Sequence, residues 1–183
     1  TALAIKVPGL YAESSNGRVA PRFYIRGLGN TDFDLAASQP VSIIMDEVVM
    51  ENVILKSFPL FDVQQVEVIR GPQGTLFGRN TTAGIIKFDS VKPRQDYDAY
   101  VKTTVGTLGQ LNLEGAVGGG LTNELSARIS LLSQNRSDWI DNAYLGENDA
   151  MGGYQERAGR VQFLYETADF NALLNLHSRN YAG

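Results

Sequence analysis

Five runs of residues between 97 and 177 alternate apolar and polar side chains with a period of two, and nothing else in the chain constrains its fold as much. In 109–119, Leu111, Leu113, Gly115 and Val117 share one face and Asn112, Glu114 and Ala116 the other. In 124–131, Leu125, Ala127, Ile129 and Leu131 oppose Glu124, Ser126, Arg128 and Ser130; 157–165 and 169–177 follow the same rule. Successive side chains of a strand point to opposite faces, so this period predicts strands with one apolar and one polar side. With 97–105, five consecutive antiparallel strands are expected. Their length suits transmembrane β-barrel strands, which take ~9–11 residues each. A soluble β-sandwich alternates in the same way.

The connections bear on that choice. GGLTN (119–123) and TAD (167–169) are short and fall on one side of an up-and-down sheet, whereas 139–153 is long and falls on the other. Outer-membrane barrels have short turns on one side and longer loops on the other. The turn near Thr107–Gly109 is short although it falls on the long-loop side. Five strands leave two open edges, and a membrane barrel closes with no fewer than about eight. If these strands cross a membrane, they belong to a larger barrel.

Composition removes several other readings. The chain has 183 residues, 43% of them hydrophobic and 20% charged, which fits a folded protein. A net charge of −4 argues against a dedicated nucleic-acid binder. There is no cysteine, so disulfides, thiolate metal sites and cysteine nucleophiles are excluded, and a single histidine, His177, precludes a multi-histidine metal site. No run reaches the ~18–20 apolar residues of a membrane helix.

Residues 1 to about 93 read differently. Short β-rich runs, RFYIRG (22–27), VSIIMDEVVM (41–50), VQQVEVIRG (63–71) and GIIKFDSV (84–91), are separated by polar or glycine-rich links. A short helix interrupted at Pro59 is expected in 52–63. KPRQD (92–96) reads as a linker. The first part is therefore an α+β domain around a mixed sheet, occupying 1–95, and the strands occupy 96–183.

RGPQGTLFGRNTTAGII (70–86) invites a test for phosphate binding. A phosphate loop needs a second glycine five residues after its first, followed at once by Lys and then Ser or Thr. That position is Leu76 counting from Gly71 and Arg79 counting from Gly74. In RGLGNTD (26–32), Asp32 stands where a dinucleotide fingerprint needs its third glycine. No hydrolase elbow occurs. The acid pairs Asp32/Asp34 and Asp46/Glu47, and the acids Asp138, Asp141, Glu147 and Asp149, read as solvated loop and strand-end charges. Asn80-Thr81-Thr82 is formally a glycosylation sequon. No catalytic set converges, so no enzyme is expected, and no metal or cofactor. The glycines read instead as conformational: Gly71 precedes Pro72, where the helical region is disfavoured, and Gly74, Gly78 and Gly84 allow tight reversals.

VEVIRGPQGTLFGRNTTAGII (66–86) closely resembles the signature of the plug domain of TonB-dependent outer-membrane receptors, carried by Val66, Glu67, Val68, Arg70, Gly71, Pro72, Phe77, Gly78, Asn80, Ala83, Gly84 and Ile86. FYIRGLG (23–29) resembles the family's "IRG" strand, and VPGL (7–10) an early plug segment. VSIIMDEVVM resembles a further plug strand, with Glu47 where the family usually has glycine. The resemblance spans nearly the whole chain.

It implies an α+β plug followed by about the first five antiparallel strands of a 22-stranded plugged barrel, in the bacterial outer membrane. The TonB box would precede this chain and about seventeen strands would follow it. The implied activity is energised uptake, driven through TonB and its inner-membrane proton-driven complex, of an iron-siderophore, cobalamin, haem or glycan. The alternative is a β-rich surface module that binds a ligand without transport. By resemblance, Arg26 and Arg70 pair with barrel glutamates, and Glu67 and Arg79 join that plug–barrel polar network. Gly27, Gly71, Pro72, Gly78, Asn80 and Gly84 shape the plug turns. The apical loop 28–38, with Asn30, Asp32 and Asp34, and the loop 139–153, with Trp139 and Tyr144, are expected to face the ligand.

Overall fold

The computed structural model describes residues 2–14, 21–30, 32, 37–50 and 55–183. It divides into two compact units, Thr1–Ser90 and Val91–Gly183.

The first unit opens with helix α1 (Ala2–Lys6) and strands β1 (Leu10–Glu13) and β2 (Arg22–Ile25), which pair antiparallel. Strands β3 (Val41–Met45), β4 (Val48–Met50), β5 (Val63–Arg70) and β6 (Gly84–Ser90) form a mixed sheet in the order β4-β3-β6-β5. β3 runs parallel to β6; the outer pairs are antiparallel. All five residues of β3 are buried; four are apolar, as expected of a strand with a parallel partner, and the fifth, Ser42, has its hydroxyl satisfied by the Asn80 carbonyl. Val41, Ile43 and Met45 join Leu10, Ile25, Ala83, Ile86 and Phe88 in the core.

The run 41–50 is two strands rather than one. Asp46 and Glu47 take φ of 47° and 68° and reverse the chain so that Met45 faces Val48. Two left-handed residues make the hairpin turn whose twist matches that of its strands. The helix expected in 52–63 reduces, among the described residues, to a 3-10 turn over Leu55–Ser57. The mixed sheet and its order of motifs agree with the sequence reading.

The second unit is an antiparallel meander of β7 (Asp98–Val105), β8 (Leu111–Gly120), β9 (Leu125–Arg136), β12 (Tyr154–Glu166) and β13 (Asn171–Ala182), with neighbours in that order. Strands β9, β12 and β13 outrun their expected limits by several residues. In each case polar residues such as Gln134, Asn135 and Asn180 continue the ladder beyond the clean alternation. The long connection contains an unforeseen hairpin, β10 (Ile140–Asn142) with β11 (Glu147–Met151). Its tip turns on the Asn142 carboxamide oxygen, which accepts the Tyr144 and Leu145 amides at 3.2 Å each, and on Gly146 at φ 69°.

Burial in this unit is inverted relative to a soluble protein. Ser126, Arg128, Ser130, Glu156, Arg160 and Gln162 are buried, whereas Val101, Leu131, Leu174 and Leu176 are exposed, Val101 by 84%. A soluble sandwich hides its apolar faces. A sheet that buries the polar face and presents a continuous apolar one is built for a lipid surround. No helix among the described residues is long and apolar enough to cross a membrane.

Candidate functional site

The three plug-like motifs meet at Gly84. In the register of β5 and β6, Arg70 stands opposite Gly84. A Cβ at Gly84 would collide with the Ile69 carbonyl oxygen and stand 3.0 Å from Ile25 Cδ1 and 3.3 Å from Arg70 Cα. Its φ of 144° is also one that L residues rarely adopt. Only glycine lets the β5 backbone and the end of β2 close on this point.

Around that point the turns present arginines. Ile25 and Leu28 exchange two backbone hydrogen bonds of 3.0 Å across Arg26 and Gly27, whose φ values are 53° and 80°. The Arg26 amide donates to the Gly9 carbonyl at 2.7 Å, which ties the VPG segment to the IRG turn. Beyond Arg70 the chain continues as a hairpin extension: Gly71 N–H donates to Ala83 O, and Gln73 N–H to Thr81 O, at 3.0 and 3.1 Å. Between them lies the single-turn helix α2 (Gly74–Phe77), which ends at Gly78. Asn80 takes φ 71°, and its carbonyl accepts the Ser42 hydroxyl at 2.8 Å, anchoring the loop to β3. The glycine stretch is thus the connection of an antiparallel pair. Its helix of four residues is no phosphate cradle.

Arg26, Arg70 and Arg79 are exposed, and Arg26 and Arg70 make no ion pair among the described residues. Glu67 is half-buried on β5 and accepts a hydrogen bond from the Gln65 side chain. What these four residues share is the β5–β6 hairpin and the turn beside it.

Glu47, the departure from the family's glycine, pairs with Lys87 at 2.6 Å, and Asp89 stands 3.4 Å from the same ammonium. The Glu47 hydrogen bond, opposed in part by burial, raises the Lys87 pKa above its ordinary value. Asp46 accepts the backbone N–H and hydroxyl of Ser90, at 2.8 and 2.7 Å. The acid pair is therefore a clasp on the end of β6 rather than a reactive dyad. Tyr24 donates to Glu13 at 2.9 Å, and burial raises its pKa, reinforced by that carboxylate.

Of the apical residues, Asn30 serves the loop itself: its side chain donates to Ser38 O at 3.0 Å and accepts the Asp32 amide at 2.8 Å. Asp34 lies outside the described residues. Trp139 sits at the base of the β10–β11 hairpin and Tyr144, 96% exposed, at its tip. Asp138 and Asp141 accept the backbone amides of Gly153 and Asp149 at 2.7 and 3.0 Å. No group of acids or histidine poised for a metal occurs among the described residues.

Sequence reasoning missed the ion pairs on the buried polar face of the second unit. Arg179 meets Glu156 at 2.8 Å and Arg128 meets Asp98 at 2.9 Å. The signal was the polar half of the alternation, which marks an interior in a barrel and a surface elsewhere.

Residues 1–85 match the TonB-dependent Receptor Plug Domain family. The pesticin receptor of Yersinia pestis is 31% identical over 163 residues, covering 85% of this chain and 23% of that protein. The catecholate siderophore receptor Fiu of Escherichia coli K12 is 26% identical over 140 residues, or 72% of this chain and 16% of the relative. Among solved structures, the ferric yersiniabactin uptake receptor FyuA from Yersinia pestis superposes with a TM-score of 0.79 at 26% identity, covering 89% of this chain and 25% of that one. The chain spans less than a quarter of the length of the curated relatives it matches.

Proposed function

This chain belongs to the TonB-dependent receptor family, and we propose that it is the plug (residues 1–95) and the first five strands (96–183) of an outer-membrane receptor for an iron-siderophore. The observation that carries the reading is the combination, in one chain, of plug motifs gathered at Gly84 and a sheet with its polar face buried and its apolar face exposed. The first supplies a cork, the second a wall, and neither supplies covalent chemistry. The relatives named as receptors for a catecholate siderophore and for ferric yersiniabactin favour iron chelates over cobalamin, haem or glycan.

In this reading TonB transmits the proton-motive force and rearranges the plug once ligand has bound outside. Arg26, Arg70, Arg79 and Glu67 form the plug's side of a polar contact with the barrel. A charged network in a wet lumen can break and re-form at modest cost, which a dry apolar interface could not match. Asn30, Asp32, Trp139 and Tyr144 are the residues offered to the ligand.

The test is uptake of radiolabelled iron, presented as a ferric catecholate or as ferric yersiniabactin, by cells carrying the full-length receptor. Uptake lost on deletion of either the receptor or TonB is expected. Binding that persists with no TonB-dependent uptake of any iron chelate would overturn the proposal in favour of a non-transporting module.

A further inference from the structure

The apolar face of the five-strand sheet carries one charged residue, Arg157. The lateral register sets Leu131 between Gly115 and Gly159, and in the next row sets Arg157 between Ser133 and Asn180. The two missing side chains leave a trough on either side of Leu131. It is an open groove of about 700 Å³, with Val101 and Leu113 among its apolar lining and Arg157 and Asn180 among its polar lining. Arg157 makes no ion pair among the described residues.

Its place along the strand gives it a side of the membrane. Arg157 lies near the start of β12, next to the long connection that holds β10 and β11 and at the same end as the short turn 106–110, while the turns 121–124 and 167–170 lie at the other end of the sheet. Long loops face outward in barrels of this kind, so Arg157 stands at the level of the outer leaflet. An arginine on a lipid-facing surface is costly at mid-depth and is tolerated near the interface, where it meets phosphate. Its planar fork suits two phosphate oxygens at once.

We propose that this trough is a lipid site. One acyl chain lies in the groove beside Leu131 and over Gly159, and the anionic phosphorylated head of an outer-leaflet lipid is held by Arg157 with Asn180 and Ser133. The apolar band continues around the groove, so its neighbours are lipid chains, and the single cation complements a single anionic head rather than a protein surface. The inference rests on these strands spanning the outer membrane.

The experiment is native mass spectrometry of the full-length receptor in detergent, titrated with phosphatidylglycerol, with phosphatidylcholine and with inorganic phosphate. Wild type should retain phosphatidylglycerol at least about tenfold more tightly than phosphatidylcholine, the effect of one charge-assisted contact. Arg157→Gln should abolish that preference and Arg157→Lys should keep part of it. Gly159→Leu should fill the groove and weaken both lipids; its Cβ would stand 3.3 Å from Leu131 Cδ2, so that flexible side-chain end must shift by a few tenths of an ångström. An unchanged preference in Arg157→Gln, wild-type lipid retention in Gly159→Leu, or displacement of phosphatidylglycerol by inorganic phosphate would each overturn the site. Uptake of ferric siderophore, measured on the same variants, is expected to continue, so failure of the lipid site is distinguishable from failure of the receptor reading.

Discussion

The guanidinium of Arg128 reaches across Gly118 to the carboxylate of Asp98, 2.9 Å away. In the register of β7, β8 and β9, Gly118 stands directly between the two. A Cβ there would lie 2.9 Å from the Ala127 carbonyl and 3.2 Å from Arg128 Cγ. The glycine is the channel through which the pair forms. Gly118→Ala should therefore destabilise the full-length barrel by about 2 kcal/mol, through crowding next to backbone. Asp98→Asn should cost ~1 kcal/mol or less, because Asp98 is largely solvated. Urea unfolding from lipid vesicles measures both, and the reverse order would contradict this account.

The inverted sheet makes a prediction that a soluble protein would not. Ile129 is half-exposed on the apolar face, so Ile129→Arg in water would be nearly neutral. In a bilayer the same change should cost ~2–4 kcal/mol. Comparison of unfolding midpoints in vesicles separates the two.

Two glycines of one signature should differ in their tolerance. Gly84→Ala combines a forbidden φ with collision against the Ile69 carbonyl and should cost more than about 3 kcal/mol. Gly71 has a φ of 102° but open space around its missing Cβ, so Gly71→Ala should cost about 1–2 kcal/mol. Protease resistance of the plug in the intact receptor reports the ranking.

The Glu47–Lys87 pair links stability to alkaline pH. The folded-state pKa of Lys87 is raised, so the stability it contributes is complete below its ordinary value of 10.5 and is lost as pH rises through the higher folded value. The raised Tyr24 pKa acts in the same direction near pH 10. Glu47→Gly should release the left-handed strain at residue 47 while losing the pair, so neutral-pH stability should change by less than about 1 kcal/mol, and the alkaline decline should flatten. Thermal melts between neutral pH and pH 11 test the slope; a variant as alkali-sensitive as wild type would refute the linkage.

Arg70→Ala in the full-length receptor should loosen the plug without unfolding it, since Arg70 is exposed and makes no ion pair among the described residues. Increased entry of a large antibiotic is the readout. Unchanged leakage with unchanged uptake would remove Arg70 from the plug–barrel contact.

Period-two alternation foretold each of the five strands, because a pleated backbone converts sequence parity directly into facing. It could not tell which face is inside, since a sandwich and a barrel use the same parity; burial of Arg128 and Glu156 beside exposed Val101 and Leu131 decides that. The β3–β4 reversal was hidden because Asp46 and Glu47 adopt left-handed angles without the usual glycine. The β10–β11 hairpin was hidden because its ladder is short and its turn rests on the Asn142 carboxamide. Motif residues far apart in sequence converge: Arg70 and Gly84 through the β5–β6 pairing, and Ile25 by packing its side chain against Gly84.

The separation of the β1–β2 ladder from the four-stranded sheet has a mechanical consequence. Tension entering from the Ala2 side meets first the Arg26–Gly9 bond and the Leu10–Ile25 pair, at the open end of an antiparallel ladder of four residue pairs. Loaded there, the hydrogen bonds fail one after another, like a zip, and release chain at low force. β3 is held between β4 and β6 and is buried at every residue, so it resists until the ladder is spent. The fold therefore grades its own compliance, soft at the leading edge and stiff at the centre.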